Sequence, residues 1–532
     1  MSPNQTCAEA LVRLLERRGV NTVFGIPGVH TLELYRGLSN STIRHILVRH
    51  EQGAGFMADG YARISGRPGV CFVITGPGVT NITTPMAQAY SDSVPMLVIS
   101  TVRRTDDLGS QLGRLHEISD QRSVTAPLCA FAATAMTPKD VPLLIDKAFA
   151  VFEGARPRPV HIEIPLDVAE MVVEGEWLPA DPVFAPEPDT AAITMATNLL
   201  GDARMPVIVV GGGACDAGPE LSRLAEQLGA PVITTVAAKG LMVDDHPLHL
   251  GCTLSSAETQ KFLAESDVVL AIGTELAETD SWCRRLSLPG ALIRIDIDPG
   301  QINNPYPATL GITSDATTAL EALLSRLPTG RFVDFDSIQK RVRDMRRSAV
   351  KDQSAAMRSH RSVLKALRSV LPETAVIYTD MTQIAYSGNE VYAAPRPRSW
   401  FHPSGFGTLG YAMPAAIGGK LASPATPVVA LVGDAGLQFT VQELAVATEL
   451  DLHLIVILWN NDALGQIRDD MIENGIGKIG VEQRNPDFDL LARAYGAYHR
   501  QPEGLDELTN DLSKALHDPG VWLIEVRESA FS

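Results

Sequence analysis

The sequence predicts an α/β protein made of three doubly wound parallel-sheet domains, and three observations carry that prediction. Short apolar runs of strand length alternate with helical segments, as in Val70–Thr75 (VCFVIT), Pro95–Ser100 (PMLVIS) and Val160–Pro165 (VHIEIP). Strands apolar on both faces belong to parallel sheets covered by helices. The alternation starts afresh twice, at Pro206–Val210 (PVIVV) and at Ala375–Thr379. The length of 532 residues agrees, at roughly 100–200 residues per domain.

The elements follow in order. Thr6 and Glu9 form a T-x-x-E capping box, Ala8, Leu11, Leu14 and Leu15 recur at helical spacing, and Gly19 suits the residue just past the helix end. The Pro-rich stretch Trp177–Thr190 (WLPADPVFAPEPDT) reads as a linker closing the first domain. The second block continues through Val268–Gly273 and Ala291–Asp298 and ends near Leu327–Gly330 (LPTG). A charged helical stretch near Gln339–Arg361 reads as a surface connection. The third block carries strands at Val428–Val432, Leu454–Leu458 and Val521–Val526. The expected domains are residues 1–175, 190–328 and 355–532.

Composition excludes several partner classes. The net charge of −17 repels nucleic acid and anionic membranes. The six cysteines are scattered, without CxxC pairs or zinc spacing, which suits reduced thiols in a cytoplasmic protein. No basic and then apolar leader opens the chain, and no apolar run reaches the roughly 18–20 residues a membrane span needs.

The strongest motif is Gly433-Asp434-Ala435, then 24 residues, then Asn460-Asn461. Its first half follows the strand VVALV and precedes the helical run VQELAVATEL, and its second half ends the strand LHLIVILW. Adjacent parallel strands would bring Asp434 and Asn461 to one carboxyl edge, where open α/β sheets bind ligands. A carboxylate and an amide carbonyl are hard ligands for Mg²⁺, whose shell phosphate oxygens can complete. Ala435 and Gly436 are small enough for a diphosphate to approach the backbone at a helix start.

With these residues the chain resembles the thiamine diphosphate enzymes, in their acetolactate synthase-like branch, over nearly its whole length. Members carry GDG-x(24–27)-NN; here Ala435 stands third. The resemblance implies a fold of pyrimidine-binding, central and diphosphate-binding domains. It implies Mg²⁺ held by Asp434, Asn461 and the Ala463 carbonyl, with Gly433, Ala435, Gly436, Asn461, Leu464 and Gly465 around the cofactor. The string Arg49-His50-Glu51-Gln52-Gly53-Ala54, followed by Met57–Arg63, matches the family segment whose glutamate exchanges a proton with the aminopyrimidine. Glu51 is therefore the expected catalytic acid and base. In Gly405-Phe406-Gly407-Thr408-Leu409-Gly410, Leu409 matches the apolar wedge that bends the cofactor, and Gly407 and Leu409 offer backbone groups to its pyrimidine. The turn Thr75–Asn81 (TGPGVTN), with Thr75 and Asn81 named as contacts, together with Gly28, Thr382 and Gln383, matches further cofactor loops. In this family the glutamate and the metal aspartate of one site come from different subunits. At least a homodimer is thus expected, with a homotetramer as the fuller assembly.

Four positions depart from acetolactate synthase. The synthases' Phe-Gln-Glu reads Leu115-His116-Glu117, a lysine some dozen residues later falls at Cys129, a pocket tryptophan falls at Asp470, and His30 replaces a small residue. Histidines at 30 and 116 suit a decarboxylase, which must protonate carbon after CO₂ leaves. Asp469, Asp470 and Glu473 suit a cationic substrate tail. The pattern is similar to decarboxylases of 5-guanidino-2-oxopentanoate, the oxo acid of arginine. An acetolactate-type carboligase is the alternative. In VVGGGACDAG, Gly211 and Gly213 begin a G-x-G-x-x-G whose third position is Asp216, so the dinucleotide fingerprint fails. Some relatives bind FAD in this domain, and no string here requires it.

Overall fold

The computed structural model describes residues 5–328, 334–351 and 354–531. It contains three six-stranded sheets, each entirely parallel. The first runs Arg44–Leu47, Thr22–Gly25, Gly69–Val73, Met96–Val102, Val160–Pro165, Phe131–Thr134. The third runs Trp400–Phe401, Val376–Thr379, Val428–Gly433, Leu454–Asn460, Val521–Arg527, Tyr498–Arg500. Counted along the chain, both have the order 2-1-3-4-6-5. They are topological copies, and each reverses direction between its first and third strands, where ligand crevices form.

The middle sheet has the order 3-2-1-4-5-6 of dinucleotide-binding folds. Its glycine loop does not follow the fingerprint. Gly211 N–H donates to Ile272 O and Gly213 N–H to Gly273 O, so these residues join the two switch-point strands. Asp216 forms a two-armed ion pair with Arg398 of the third block.

Strand positions follow the sequence reading to within one or two residues. The capping box closes as expected: Thr6 Oγ1 accepts from Glu9 N–H, Glu9 accepts from Thr6 N–H, and Gly19 has a φ of +80°. One helix reading needs correction. The helix beyond Gly433 starts at Asp434, runs to Thr440, turns as 3₁₀ through Val441–Glu443 and resumes at Leu444–Glu449. The charged helical stretch near Gln339–Arg361 falls on two helices, Phe335–Lys351 and Ala355–Val370, and residues 352 and 353 between them lie outside the described residues. Ser354 caps the second by accepting from Met357 N–H. Thr329 and Gly330 of the expected boundary, and the outermost ends of the expected domains at 1–4 and 532, lie outside the described residues.

The first and third sheets share one apolar core, which contains Phe24, Met57, Tyr378, Met413 and Val456. At its centre the helices Glu51–Ser65 and Ala412–Ala422 cross at backbone contact. A Cβ on Gly60 would lie 1.9 Å from Ala415 O, and one on Gly418 would lie 1.8 Å from Met57 O. Glycine is what permits this approach. Pairing 60 with 415 and 57 with 418 makes the helices antiparallel, so Glu51 opens the end at which Ala412–Ala422 finishes. Tyr378 Oη seals the joint with a 2.6 Å bond to Gly60 O. Among the described residues no helix is long and apolar enough to cross a membrane.

Candidate active site

The carboxyl edge of the third sheet gathers most of the expected residues. Val428–Gly433 pairs in parallel with Leu454–Asn460, with Gly433 opposite Trp459, so Asp434 and Asn461 leave neighbouring strands side by side. Thr382 and Gln383 follow the strand Val376–Thr379 on the other flank. A Cβ on Gly433 would meet Thr382 Oγ1 at 3.0 Å, and one on Gly465 would meet Asn461 Nδ2 and Gln383 Oε1 at 2.4 Å. Asn461 donates to Gln383 Oε1 at 3.2 Å, and Gln383 donates to Asp469 Oδ2 at 2.8 Å. Ala463 is buried and bridges to Glu482, and Leu464 N–H donates to Val481 O.

Asp434 is buried, and burial pushes its carboxyl up from the ordinary value while the Asn485 amide and the Ala435 N–H hold it back. Asn485 Nδ2 lies 2.7 Å from Asp434 Oδ2, 3.0 Å from Asn460 Oδ1 and 2.9 Å from Asp462 Oδ1. Three oxygens, from two carboxylates and one amide, converge there on a neutral amide nitrogen. The expected metal set shares only Asp434 with this cluster; its carboxylate, the Asn461 amide and the Ala463 backbone carbonyl are Mg²⁺ donors rather than zinc donors. No group of three His, Cys, Asp or Glu side chains converges among the described residues.

The glycine turn before Ala412–Ala422 is anchored from below. Asp380 is fully buried and accepts from Gly410 N–H at 2.9 Å and from Met381 N–H. Burial raises its carboxyl to about 7 against those N–H groups. Gly407 has a φ of +69°, and Leu409 is half-buried beside it. Gly436 lies against Asp380 and Gly410, which puts the Asp434 loop at the Ala412 end of the helix pair. Glu51 stands at the opposite end.

The equivalent edge of the first sheet carries the second cluster. Glu51 is buried and is the first residue of its helix, capped by His50, whose Nδ1 accepts from Gln52 N–H. Asn81 Nδ2 donates to Glu51 Oε2 at 2.9 Å. Thr75 Oγ1 and Thr101 Oγ1 share a bond at 3.1 Å. Gly28 packs on Ile74. Gly76, at φ +72°, lies so close to His116 O that a Cβ would come within 2.5 Å. His30 and His116 face each other edge to face, with ring centroids 5.1 Å apart, and the Nδ1 of each is buried without a partner. Burial, then His116 and Arg103, lower the pKa of His30 from its ordinary value.

The acidic helix Gly465–Glu473 divides its carboxylates. Asp469 turns inward to Gln383 and also pairs with Arg468 at 3.0 Å. Asp470 is exposed, accepts from Gln466 and raises the Tyr386 phenol through its charge, after burial and Asp380. Glu473 is exposed.

Four contributors were missed in the sequence. Asn485 comes from a coil 51 residues past Asp434. Gln121 ties Gly76 N–H, Thr101 O and Glu163 together. Asp380 and Glu443 are buried acids whose only sequence signal is a carboxylate within an otherwise apolar stretch.

Comparison with known proteins finds matches to each of the three sheets' domains. Residues 5–124 match the thiamine pyrophosphate enzyme N-terminal TPP binding domain, 193–323 the central domain and 380–526 the C-terminal TPP binding domain. The chain is 53% identical to a Pseudomonas aeruginosa protein named "probable 2-ketoarginine decarboxylase AruI", over 99% of this chain and 95% of that one. It is 32% identical to the acetolactate synthase isozyme 1 large subunit of Escherichia coli K12, over 99% and 94%. It is also 32% identical to a Methanocaldococcus jannaschii protein named "probable acetolactate synthase large subunit", over 98% and 91%. Two sheets of one topology, a carboxylate–amide pair on one and a buried glutamate on the other, and matches in all three parts of the chain have one reading: the chain belongs to the thiamine pyrophosphate (thiamine diphosphate) enzymes, in their acetolactate synthase-like branch.

Proposed function

We propose that this chain is a thiamine diphosphate- and Mg²⁺-dependent decarboxylase of a 2-oxo acid with a cationic tail, 5-guanidino-2-oxopentanoate above all. The observation that carries the substrate is the helix Gly465–Glu473, which begins four residues after Asn461 and holds Asp469 inward and Asp470 and Glu473 exposed. A carboxylate meets a guanidinium with two charge-assisted bonds. The 53% identity to a protein named as a 2-ketoarginine decarboxylase supports the same reading.

When bound, thiamine diphosphate supplies the sink for the electron pair left as CO₂ departs. Asp434, Asn461 and the Ala463 carbonyl would hold Mg²⁺ on its diphosphate, beside Gly433, Ala435, Gly436, Leu464 and Gly465. Gln383 orients the Asn461 amide, and Thr382 borders Gly433. Gly407 and Leu409 would present backbone groups and an apolar wedge to the pyrimidine, and Gly28, Thr75 and Asn81 of the subunit that supplies Glu51 would border it. Glu51, held by Asn81, would exchange a proton with the pyrimidine nitrogen. His30 and His116 deliver the proton that the substrate carbon takes up once CO₂ has left. A carboligase would instead add a second oxo acid at that carbon.

The domains we assign are residues 1–175, 190–328 and 355–532. Glu51 and Asp434 stand at opposite ends of one helix pair. The helix between them has 15 residues and is about 22 Å long. A complete site therefore takes Glu51 from one subunit and Asp434 from another, in a homodimer or a homotetramer of the cytoplasm.

CO₂ release over a panel of 2-oxo acids tests the reading. The guanidino acid should give higher kcat/KM than pyruvate, and pyruvate should give no acetolactate. Accumulation of acetolactate from pyruvate would establish the carboligase instead.

A further inference from the structure

Glu443 has no part in the chemistry above, yet its side chain is fully buried and reaches across the chain to the residues beside Glu51. Both of its oxygens accept from Arg49 N–H, at 3.2 and 3.1 Å, across 394 residues of sequence. The His50 N–H also faces it, and a Cβ on Gly53 would come within 2.5 Å of its carboxyl. Next to it Arg49 forms an ion pair with Glu449. Glu443 therefore sits against the first turn of the helix that Glu51 opens, where free backbone N–H groups and the helix dipole favour negative charge.

We propose that Glu443 is a positioning residue for Glu51, a carboxylate of the third sheet's domain that clamps the Arg49–Gly53 backbone and so sets where the glutamate points. The proposal rests on the reading of Glu51 as the pyrimidine's proton partner. Three features support a built contact rather than incidental packing. Two oxygens are spent on one backbone N–H, Gly53 has no side chain where the carboxyl needs space, and the acid remains buried although burial lifts its pKa to about 7. Asn81 holds the carboxyl of Glu51 while Glu443 holds the backbone of Arg49 and His50 immediately before it, so the group is constrained from both sides.

The test uses the full-length holoenzyme. Glu443→Gln keeps the volume but opposes an amide to the Arg49 N–H. Gly53→Ala crowds the same contact from the other side and covers the case in which Glu443→Gln fails to fold. Each should lower kcat by about 10- to 100-fold, since small misplacements of a catalytic group cost that much, with KM for the oxo acid little changed. Hydrogen exchange at the Arg49–Gly53 amides should speed up in both variants, in the absence of cofactor as well. Glu443→Asp should recover part of kcat and part of the protection. Wild-type kcat in Glu443→Gln, or a lowered kcat with unchanged exchange at Arg49–Gly53, overturns the clamp. An active Glu51→Gln enzyme would overturn the underlying reading instead, while the exchange result would still report on the clamp.

Discussion

The side-chain amide of Asn81 donates to Glu51 Oε2 at 2.9 Å, so the glutamate is oriented by a neutral donor on the adjacent turn.

Glu51→Gln should therefore keep its shape and its bond network and lose proton transfer. Thiamine diphosphate affinity, measured by calorimetry, should stay near wild type. Decarboxylation should fall by about 100-fold or more, the usual worth of a positioned acid–base group.

Asp434→Ala should abolish Mg²⁺-dependent cofactor binding. The loss removes the one carboxylate of the expected donor set and leaves the diphosphate charge poorly neutralised. Titration of the cofactor with and without Mg²⁺ checks this, and unchanged affinity would contradict the site.

Asp470→Asn should weaken the preference for the guanidino acid over pyruvate. Because Asp470 is exposed, the change in the ratio of kcat/KM values should be modest, about two- to fivefold. Asp469→Asn acts beside Gln383 and Asn461, so it should also raise the Mg²⁺ requirement.

Gly418→Ala should destabilise the fold without touching the site. Its methyl would lie 1.8 Å from Met57 O, a backbone atom that cannot rotate away. A cost of about 3 kcal/mol follows from overpacking of this kind. A lower denaturation midpoint with unaltered KM checks it.

Acid should unfold the protein partly through His161. It is buried between Ser100 Oγ and Thr125 Oγ1, and burial lowers its pKa from 6.5 to about 4. The unfolded chain binds a proton there between pH 6.5 and about 4 and the folded chain does not, so stability is present above pH 6.5 and is lost as pH falls through that window. The slope is about 1.4 kcal/mol per pH unit for one fully titrating group. Denaturation curves over this range should be less steep in pH for His161→Gln.

Much of this was legible in the sequence because the relevant constraints are local. Thr6 and Glu9 satisfy helix N–H groups within three residues, and Asp434 and Asn461 each end an apolar strand. The partners that position these groups were not legible. Asn485, Gln121 and Glu443 reach their targets across 51, 45 and 394 residues, and a lone amide or acid has no spacing to betray such a contact. The helix start was misplaced for a related reason. Asp434-Ala435-Gly436 has the composition of a phosphate loop, yet its backbone already turns as helix.

The antiparallel joint at Gly60 and Ala415 has a genetic consequence. In the shared-site assembly proposed above, with Glu51 and Asp434 drawn from different subunits, a chain damaged at Glu51 and a chain damaged at Asp434 would carry complementary defects. Co-expressed, Glu51→Gln and Asp434→Ala chains would combine into mixed dimers with one doubly damaged site and one site assembled wholly from intact halves. Two dead alleles would then restore growth or activity together that neither supports alone.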